Sequence, residues 1–120
     1  HNHWWELAQQ IEGRPALEVF ADLLDERIVL EVDTYWAAVG GVDAPDLLRR
    51  LGERVKFLHV KDGPIIDDPK AQLPAGEGAM DVPAVLAAAP TALRVVEFDA
   101  YAGDVFDGLA ASLAYLEGLA

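Results

Sequence analysis

The sequence contains no cysteine, which excludes disulfide bonds and thiolate metal sites. Basic residues are also scarce, with nine lysines and arginines against 21 aspartates and glutamates and a formal net charge of -12. Such a chain is poorly suited to bind nucleic acid phosphates or an anionic membrane surface through a basic patch. We therefore expect a small-molecule partner, and neither a nucleic acid nor a membrane.

Long hydrophobic runs are missing as well. No stretch reaches the ~18 to 20 apolar residues that a membrane-spanning helix needs, and the opening His1-Asn2-His3-Trp4-Trp5 lacks the parts of a signal peptide. These absences predict a cytoplasmic location. The 120 residues, 52% of them hydrophobic, are enough for one core, so we predict a single domain over residues 1–120.

Helical and extended patterns alternate along the rest of the chain. A short strand is expected in the opening segment, and strands are expected to end near residues 33, 59 and 97. The predicted helices cover residues 15–25, 43–52, 81–90 and 104–116, the last burying Val105, Leu109, Leu113 and Leu116. A long irregular stretch covers residues 62–80. This order indicates an α/β fold with a parallel sheet, and its length supplies about half of a (β/α)8 TIM barrel of roughly 250 residues.

Each of the three main strands is predicted to end in a side chain that can bind a metal, namely Asp33, His59 and Glu97. The carboxyl ends of parallel strands meet at one edge, where α/β barrels carry their catalytic groups. Oxygen and nitrogen ligands of this mix suit Mn²⁺, Mg²⁺, Co²⁺ or Zn²⁺. The alternative is that each charged residue only marks where a strand leaves the core and meets water.

Several short motifs together resemble a known family. It is the sugar phosphate isomerase/epimerase group with the xylose-isomerase-like barrel, which includes inosose dehydratases, hydroxypyruvate isomerases and ketose 3-epimerases. The matching motifs are His1-Asn2-His3-Trp4-Trp5-Glu6, Glu31-Val32-Asp33-Thr34-Tyr35-Trp36, Gly40-Gly41-Val42-Asp43, His59-Val60-Lys61-Asp62, Gly76-Glu77-Gly78 and Val96-Glu97-Phe98-Asp99. The resemblance implies that the chain is the C-terminal half of such a barrel, strands five to eight.

The same resemblance implies roles for individual residues. Asp33, His59 and Glu97 correspond to three of the family's four metal ligands. The fourth is commonly a glutamate at the end of the fifth strand, where this chain has His1, or a residue before it, as its candidate. His3 and Glu6 are further candidates, and a site with three protein ligands and more water is the alternative. Glu97 is also implied as the catalytic acid and base.

Three further residues are candidates around this centre. Lys61 lies two residues beyond His59 and is predicted to neutralise an oxyanion or to hold a substrate hydroxyl. Trp36 is predicted to stack on a sugar ring, with a place in the core as the alternative. His3 is a candidate for substrate contact, with a buried, hydrogen-bonded histidine as the alternative.

The chemistry of such a centre follows from its groups. A divalent cation that chelates a substrate carbonyl and the neighbouring hydroxyl acidifies the C–H between them and stabilises the resulting enediolate. We therefore predict a metal-dependent isomerase, epimerase or dehydratase acting on a sugar or keto-polyol. The alternative is a non-catalytic barrel fragment that serves as a binding or assembly module. We expect a half barrel to be inactive without an N-terminal half or a second copy of the chain.

Overall fold

The computed structural model describes residues 1–119, which form a mixed α/β fold. The helices are α1 (Trp5–Ala8), α2 (Ala16–Leu23), α3 (Thr34–Val39), α4 (Ala44–Leu51), α5 (Val82–Ala88) and α6 (Val105–Gly118). The strands are β1 (Gln10–Ile11), β2 (Arg14–Pro15), β3 (Leu30–Asp33), β4 (Val55–Val60) and β5 (Leu93–Val96). Within residues 1–119, none of the helices has the length and apolar character needed to cross a membrane.

Strands β3, β4 and β5 form a parallel three-stranded sheet in chain order. Helices α3 and α4 connect the first two strands, and α5 connects the second to the third, as parallel pairing requires. Asp33 is level with His59, and His59 is level with Val95. The predicted parallel α/β arrangement is confirmed for these three strands, and β1 and β2 form a separate short antiparallel pair.

Aspartate side chains begin four of the helices, three of them at the predicted helix starts. Asp43 accepts a hydrogen bond from the amide of Asp46, Asp81 does the same for Ala84, and Asp104 caps α6. Such side chains satisfy amides that have no partner within the helix. These predicted helix starts are confirmed, whereas α2 begins at Ala16 rather than at the proline before it.

The core lies between the sheet and the helices. On β3 and β4, Val32, Leu58 and Val60 are at most 2% exposed, and they belong to one apolar cluster with helix residues. The helix members of this cluster include Leu47, Leu48, Val85 and Leu86. Alternate residues of a strand point to opposite faces, so the other face of the sheet carries Glu31, Asp33, Phe57 and His59.

Two expectations for the first 40 residues are wrong. The opening segment forms no strand over residues 1–4; instead, the side chain of Asn2 bonds to the backbone of β3. Helix α3 was not predicted, because its sequence of apolar and β-branched residues follows Asp33 without a break. The Asp33 side chain starts this helix by accepting a hydrogen bond from the Trp36 amide.

The predicted apolar face of the last helix is buried only in part, at Leu116. Val105 and Leu113 are 43% and 55% exposed, whereas Gly108, Ser112 and Leu116 are buried. Small residues at this contact let the helix approach closely, and a Cβ at Gly108 would lie 2.8 Å from the ring of Tyr101. The hydroxyl of Ser112 also accepts a hydrogen bond from a loop amide. Close packing at these small residues, rather than the row of larger apolar side chains, therefore determines which face of α6 is buried.

The irregular stretch over residues 62–80 folds around one buried carboxylate. Asp62 is fully buried and accepts hydrogen bonds from the amides of Gly63, Gly76 and Met80 at 2.8–3.0 Å. A Cβ at Gly78 would lie 2.1 Å from the Asp62 carboxylate, so this position requires glycine. The loop is thus fixed by its own hydrogen bonds at the carboxyl edge of the sheet.

Candidate metal centre

Four side chains converge at the carboxyl edge of the sheet, namely His1, Asp33, His59 and Glu97. Each offers one possible ligand atom, and these atoms all lie within 4.8 Å of one another. Asp33 ends β3, His59 lies level with it as the penultimate residue of β4, and Glu97 follows β5 directly. The structure therefore brings together the four residues that the sequence indicated as metal ligands.

Asp33 is held more firmly than a surface carboxylate. It is fully buried, and its Oδ1 accepts the hydrogen bond from the Trp36 amide at 2.9 Å. Its backbone amide and carbonyl bond to the side chain of Asn2 at 2.9 and 3.0 Å. Only Oδ2 remains to face the other ligands. Asp33 therefore serves both as the start of α3 and as a fixed oxygen at the centre.

His59 presents its two ring nitrogens to different carboxylates. Nδ1 lies 2.8 Å from Glu97 Oε2 and 3.3 Å from Asp33 Oδ2, whereas Nε2 lies 3.3 Å from Glu31 Oε1. Histidines that bind metals usually direct the second nitrogen to a carboxylate or carbonyl, which fixes the ring. In this arrangement Nδ1 faces the other candidate ligands, and Glu31 lies against the second nitrogen.

His1 completes the group from the opening segment. Its ring centre lies 4.4 Å from that of His59, and its side chain is exposed at the rim. Asn2, the next residue, anchors this segment to Asp33. The position of His1 thus depends on the same hydrogen bonds that order β3.

The four residues fit a divalent cation. Zinc and magnesium bind nitrogen and oxygen at about 2.0–2.2 Å, so ligands on opposite sides of the ion are about 4.2 Å apart. The observed spread of up to 4.8 Å requires side-chain shifts of only a few tenths of an ångström. In addition, Glu97 Oε2 is buried and has no hydrogen bond, although it lies 2.8 Å from two nitrogens. That oxygen is suited to bind a cation.

Lys61 lies beside the ligand group and is almost completely buried. Its Nζ lies 2.8 Å from Asp33 Oδ2, 2.8 Å from Glu97 Oε2 and 2.6 Å from Asp99 Oδ2. The structure thus places Lys61 at the edge of the ligand group. Its catalytic or substrate-binding role stays a prediction.

The pKa directions reflect this concentration of charge. Burial lowers the pKa of Lys61, but the charge of Asp33 and the close contacts of Nζ with three carboxylates outweigh it, and the net shift is upward. The hydrogen bond with Asp33 raises the pKa of His59 despite burial. Burial raises the pKa of Asp99, but its hydrogen bonds to Lys61 and Gln72 lower it by more, so the net shift is downward. The charged forms of Lys61, His59 and Asp99 are therefore favoured.

The remaining two candidates occupy different surroundings. His3 is partly exposed, stacks on the ring of Trp5 at 4.3 Å and lies 5.1 Å from the ring of His1. Its Nδ1 is 3.8 Å from Glu6. Trp36 is only 3% exposed, and its indole donates a hydrogen bond to Asp99. Contact of either residue with substrate stays a prediction.

Sequence reasoning missed three residues of this region. Glu31 faces His59, Gln72 bonds to Asp99, and Asp62 organises the loop. Glu31 lies two residues before Asp33 on the same face of β3, so the alternation of side chains along the strand could have predicted its position near the centre. Gln72 had none, because it lies in an irregular segment whose path depends on backbone hydrogen bonds.

The search of solved structures found a match that covers 98% of this chain. It is the crystal structure of a sugar phosphate isomerase/epimerase from Parabacteroides distasonis, with a TM-score of 0.74 and 28% sequence identity. The predicted resemblance is confirmed. The chain spans 43% of the length of that protein, a share consistent with a C-terminal half. No protein-family model matches the chain, and no curated protein matches it.

Proposed function

We propose that this chain is the C-terminal half of a (β/α)8 barrel and carries the metal centre of a sugar or polyol isomerase, epimerase or dehydratase. The observation that supports this most strongly is the group formed by His1, Asp33, His59 and Glu97. Asp33, His59 and Glu97 come from the carboxyl edge of a parallel sheet, and His1 joins them from the opening segment. The matched structure is a sugar phosphate isomerase/epimerase.

In this proposal the four ligands hold Mn²⁺, Co²⁺, Zn²⁺ or Mg²⁺. When bound, such a cation polarises a substrate carbonyl and hydroxyl and acidifies the C–H between them. Glu97 accepts that proton through its carboxylate and returns it to the neighbouring carbon. The Lys61 ammonium donates a hydrogen bond to the oxygen on which negative charge develops. His3 and Trp36 contact the sugar or keto-polyol.

Binding of a metal is the first test. We expect calorimetric titration to show one Mn²⁺, Co²⁺ or Zn²⁺ per chain. Asp33→Asn keeps an oxygen that can cap α3 but removes the charge, so affinity should fall by about 10-fold or more. Asp67→Asn, at an exposed acidic residue of the loop, is the matched control and should have no effect. Failure to bind any of these metals would favour the non-catalytic binding or assembly module.

Proton transfer is the second test. In deuterated water, the metal-loaded protein, completed by an N-terminal half or a second copy, should introduce deuterium at the carbon next to the carbonyl of a ketose or keto-inositol, detected by proton NMR. Glu97→Gln should abolish this exchange. The proposed half barrel needs an N-terminal half or a second copy, so a metal-loaded monomer of 13.0 kDa that catalyses exchange by itself would contradict this part of the proposal.

A further inference from the structure

The Lys61 ammonium lies against carboxylate oxygens that a metal ion would also bind. Two of its three carboxylate partners, Asp33 and Glu97, are also proposed metal ligands, and both oxygens lie 2.8 Å from Nζ. An ammonium that neutralises these oxygens weakens their attraction for a divalent cation. A centre that uses both cations therefore needs a separate anion to hold the lysine.

Asp99 is placed to be that anion. Its Oδ2 lies 2.6 Å from Lys61 Nζ, the shortest of the three contacts, and Asp99 is outside the group of metal ligands. The same oxygen accepts hydrogen bonds from Gln72 Nε2 at 2.7 Å and from Trp36 Nε1 at 3.1 Å. Asp99 Oδ2 is thus fixed by three donors, namely Lys61 itself, Gln72 and Trp36.

Gln72 fixes Asp99 from a second direction. Its Oε1 accepts a hydrogen bond from the Asp99 backbone amide at 2.9 Å, so the glutamine amide bonds to both the side chain and the backbone of that residue. Gln72 is 1% exposed, although it lies in the irregular loop. The next residue, Leu73, bonds to the Asp62 carbonyl, which ties the loop to the end of β4.

We propose that Gln72 and Asp99 form a positioning pair that holds the Lys61 ammonium beside the metal centre, so that Lys61 does not neutralise Asp33 and Glu97 when a metal binds. The proposal rests on the metal centre described under Proposed function. In this proposal the loop over residues 62–80 has a functional role, because it places Gln72 at the carboxyl edge of the sheet. Neither residue of the pair contacts the substrate in this proposal.

A double-mutant cycle on Mn²⁺ affinity tests the pair. Asp99→Asn should raise the dissociation constant by about 10-fold, because Lys61 then neutralises the two ligands. Part of this effect is direct loss of charge, which persists without the lysine. We therefore expect Asp99→Asn to raise the dissociation constant less in a Lys61→Met background than in the unaltered protein. The difference should exceed about twofold, which is the scatter between independent, additive sites.

Gln72→Met should weaken Mn²⁺ binding in the same lysine-dependent way but less strongly, because Asp99 itself is retained. Gln9→Met, at an exposed glutamine near α1, is the matched control and should leave the affinity unchanged. Circular dichroism checks the fold of each variant. Lys61→Gln, which retains amide donors, replaces Lys61→Met if the latter is unfolded.

The outcomes separate this proposal from the previous one. If the unaltered protein binds none of Mn²⁺, Co²⁺ and Zn²⁺, the metal centre itself is wrong. If it binds Mn²⁺ but Asp99→Asn has the same effect, within about twofold, with and without Lys61, the metal centre stands and the positioning pair is wrong.

Discussion

The two ends of one sheet face show opposite patterns of burial. At the carboxyl end, the charged or ionisable residues Asp33, His59 and Lys61 are at most 6% exposed. At the amino end, the apolar residues Phe57 and Leu93 are 37% and 60% exposed. Charged residues are normally outside and large apolar residues inside. This face therefore inverts the usual distribution.

The reason for the inversion differs between the two ends. The charged end is covered by the chain itself, through the opening segment and the loop that Asp62 organises. Within residues 1–119, nothing covers Phe57 and Leu93 in the same way. In the proposed half barrel, the apolar end is where side chains of the completing half would pack. The substitutions below test this contrast in order of expected effect.

Loss of the buried ammonium should have the largest effect. Lys61→Met leaves three carboxylates close together without their counter-charge, and removal of one partner from a buried ion pair costs about 3–5 kcal/mol. We expect this decrease in the free energy of unfolding by urea denaturation in the presence of a chelator. Mn²⁺ should restore much of the stability, because the metal supplies positive charge. An unchanged stability would mean that the charged end is open to solvent.

A matched pair of leucines tests the two faces of the sheet. Leu58→Ala opens a cavity between β4 and the helices, and we expect a loss of about 2–5 kcal/mol. Leu93→Ala, on the opposite face and 60% exposed, should cost less than about 1 kcal/mol in this chain. Equal losses in urea denaturation would show that the apolar end is also covered.

The buried carboxylate of the loop should have an intermediate effect. Asp62→Asn replaces one acceptor oxygen with an amide donor that faces backbone amides, and unsatisfied buried groups cost about 1–3 kcal/mol. Urea denaturation measures this loss. Asp68→Asn, at an exposed aspartate of the same loop, is the control. Similar losses for both variants would contradict the organising role of Asp62.

Substitutions at the apolar end should have the smallest effect on stability. Phe57→Gln with Leu93→Gln should change the free energy of unfolding by less than about 1 kcal/mol. The same double substitution should reduce the binding of a hydrophobic fluorescent dye, because it removes exposed apolar surface. It should also weaken association with a second copy or an N-terminal half, measured by analytical ultracentrifugation. A large loss of stability would show that these residues are part of the core.

The sequence predicted those features that depend on local pattern. The apolar runs before Asp33, His59 and Glu97 indicated strands, and the aspartates at positions 43, 81 and 104 marked helix starts. These signals succeed because caps and buried strands place chemical requirements on nearby residues. The convergence of metal-binding side chains followed from the parallel order of the strands.

The features that escaped prediction depend on contacts distant in the chain. Gln72 and Asp99 meet because a loop path is set by Asp62, and no periodic pattern encodes that path. The buried face of α6 follows close packing around Gly108 rather than its leucines. The opening segment is attached to β3 through the side chain of Asn2 rather than by backbone pairing of strands. The residue type alone does not predict this.

The double role of Asp33 has a practical consequence for experiments. One of its oxygens faces the candidate metal centre, while the other holds the first turn of α3 at the Trp36 amide. A cation bound to this carboxylate must also alter the electrostatic surroundings of the Trp36 indole, because Lys61, which contacts Asp33, lies 5.8 Å from the centre of the indole ring. Trp36 is thus a built-in optical reporter, and with Trp4 and Trp5 replaced by phenylalanine its emission would follow occupancy of the centre without any added label.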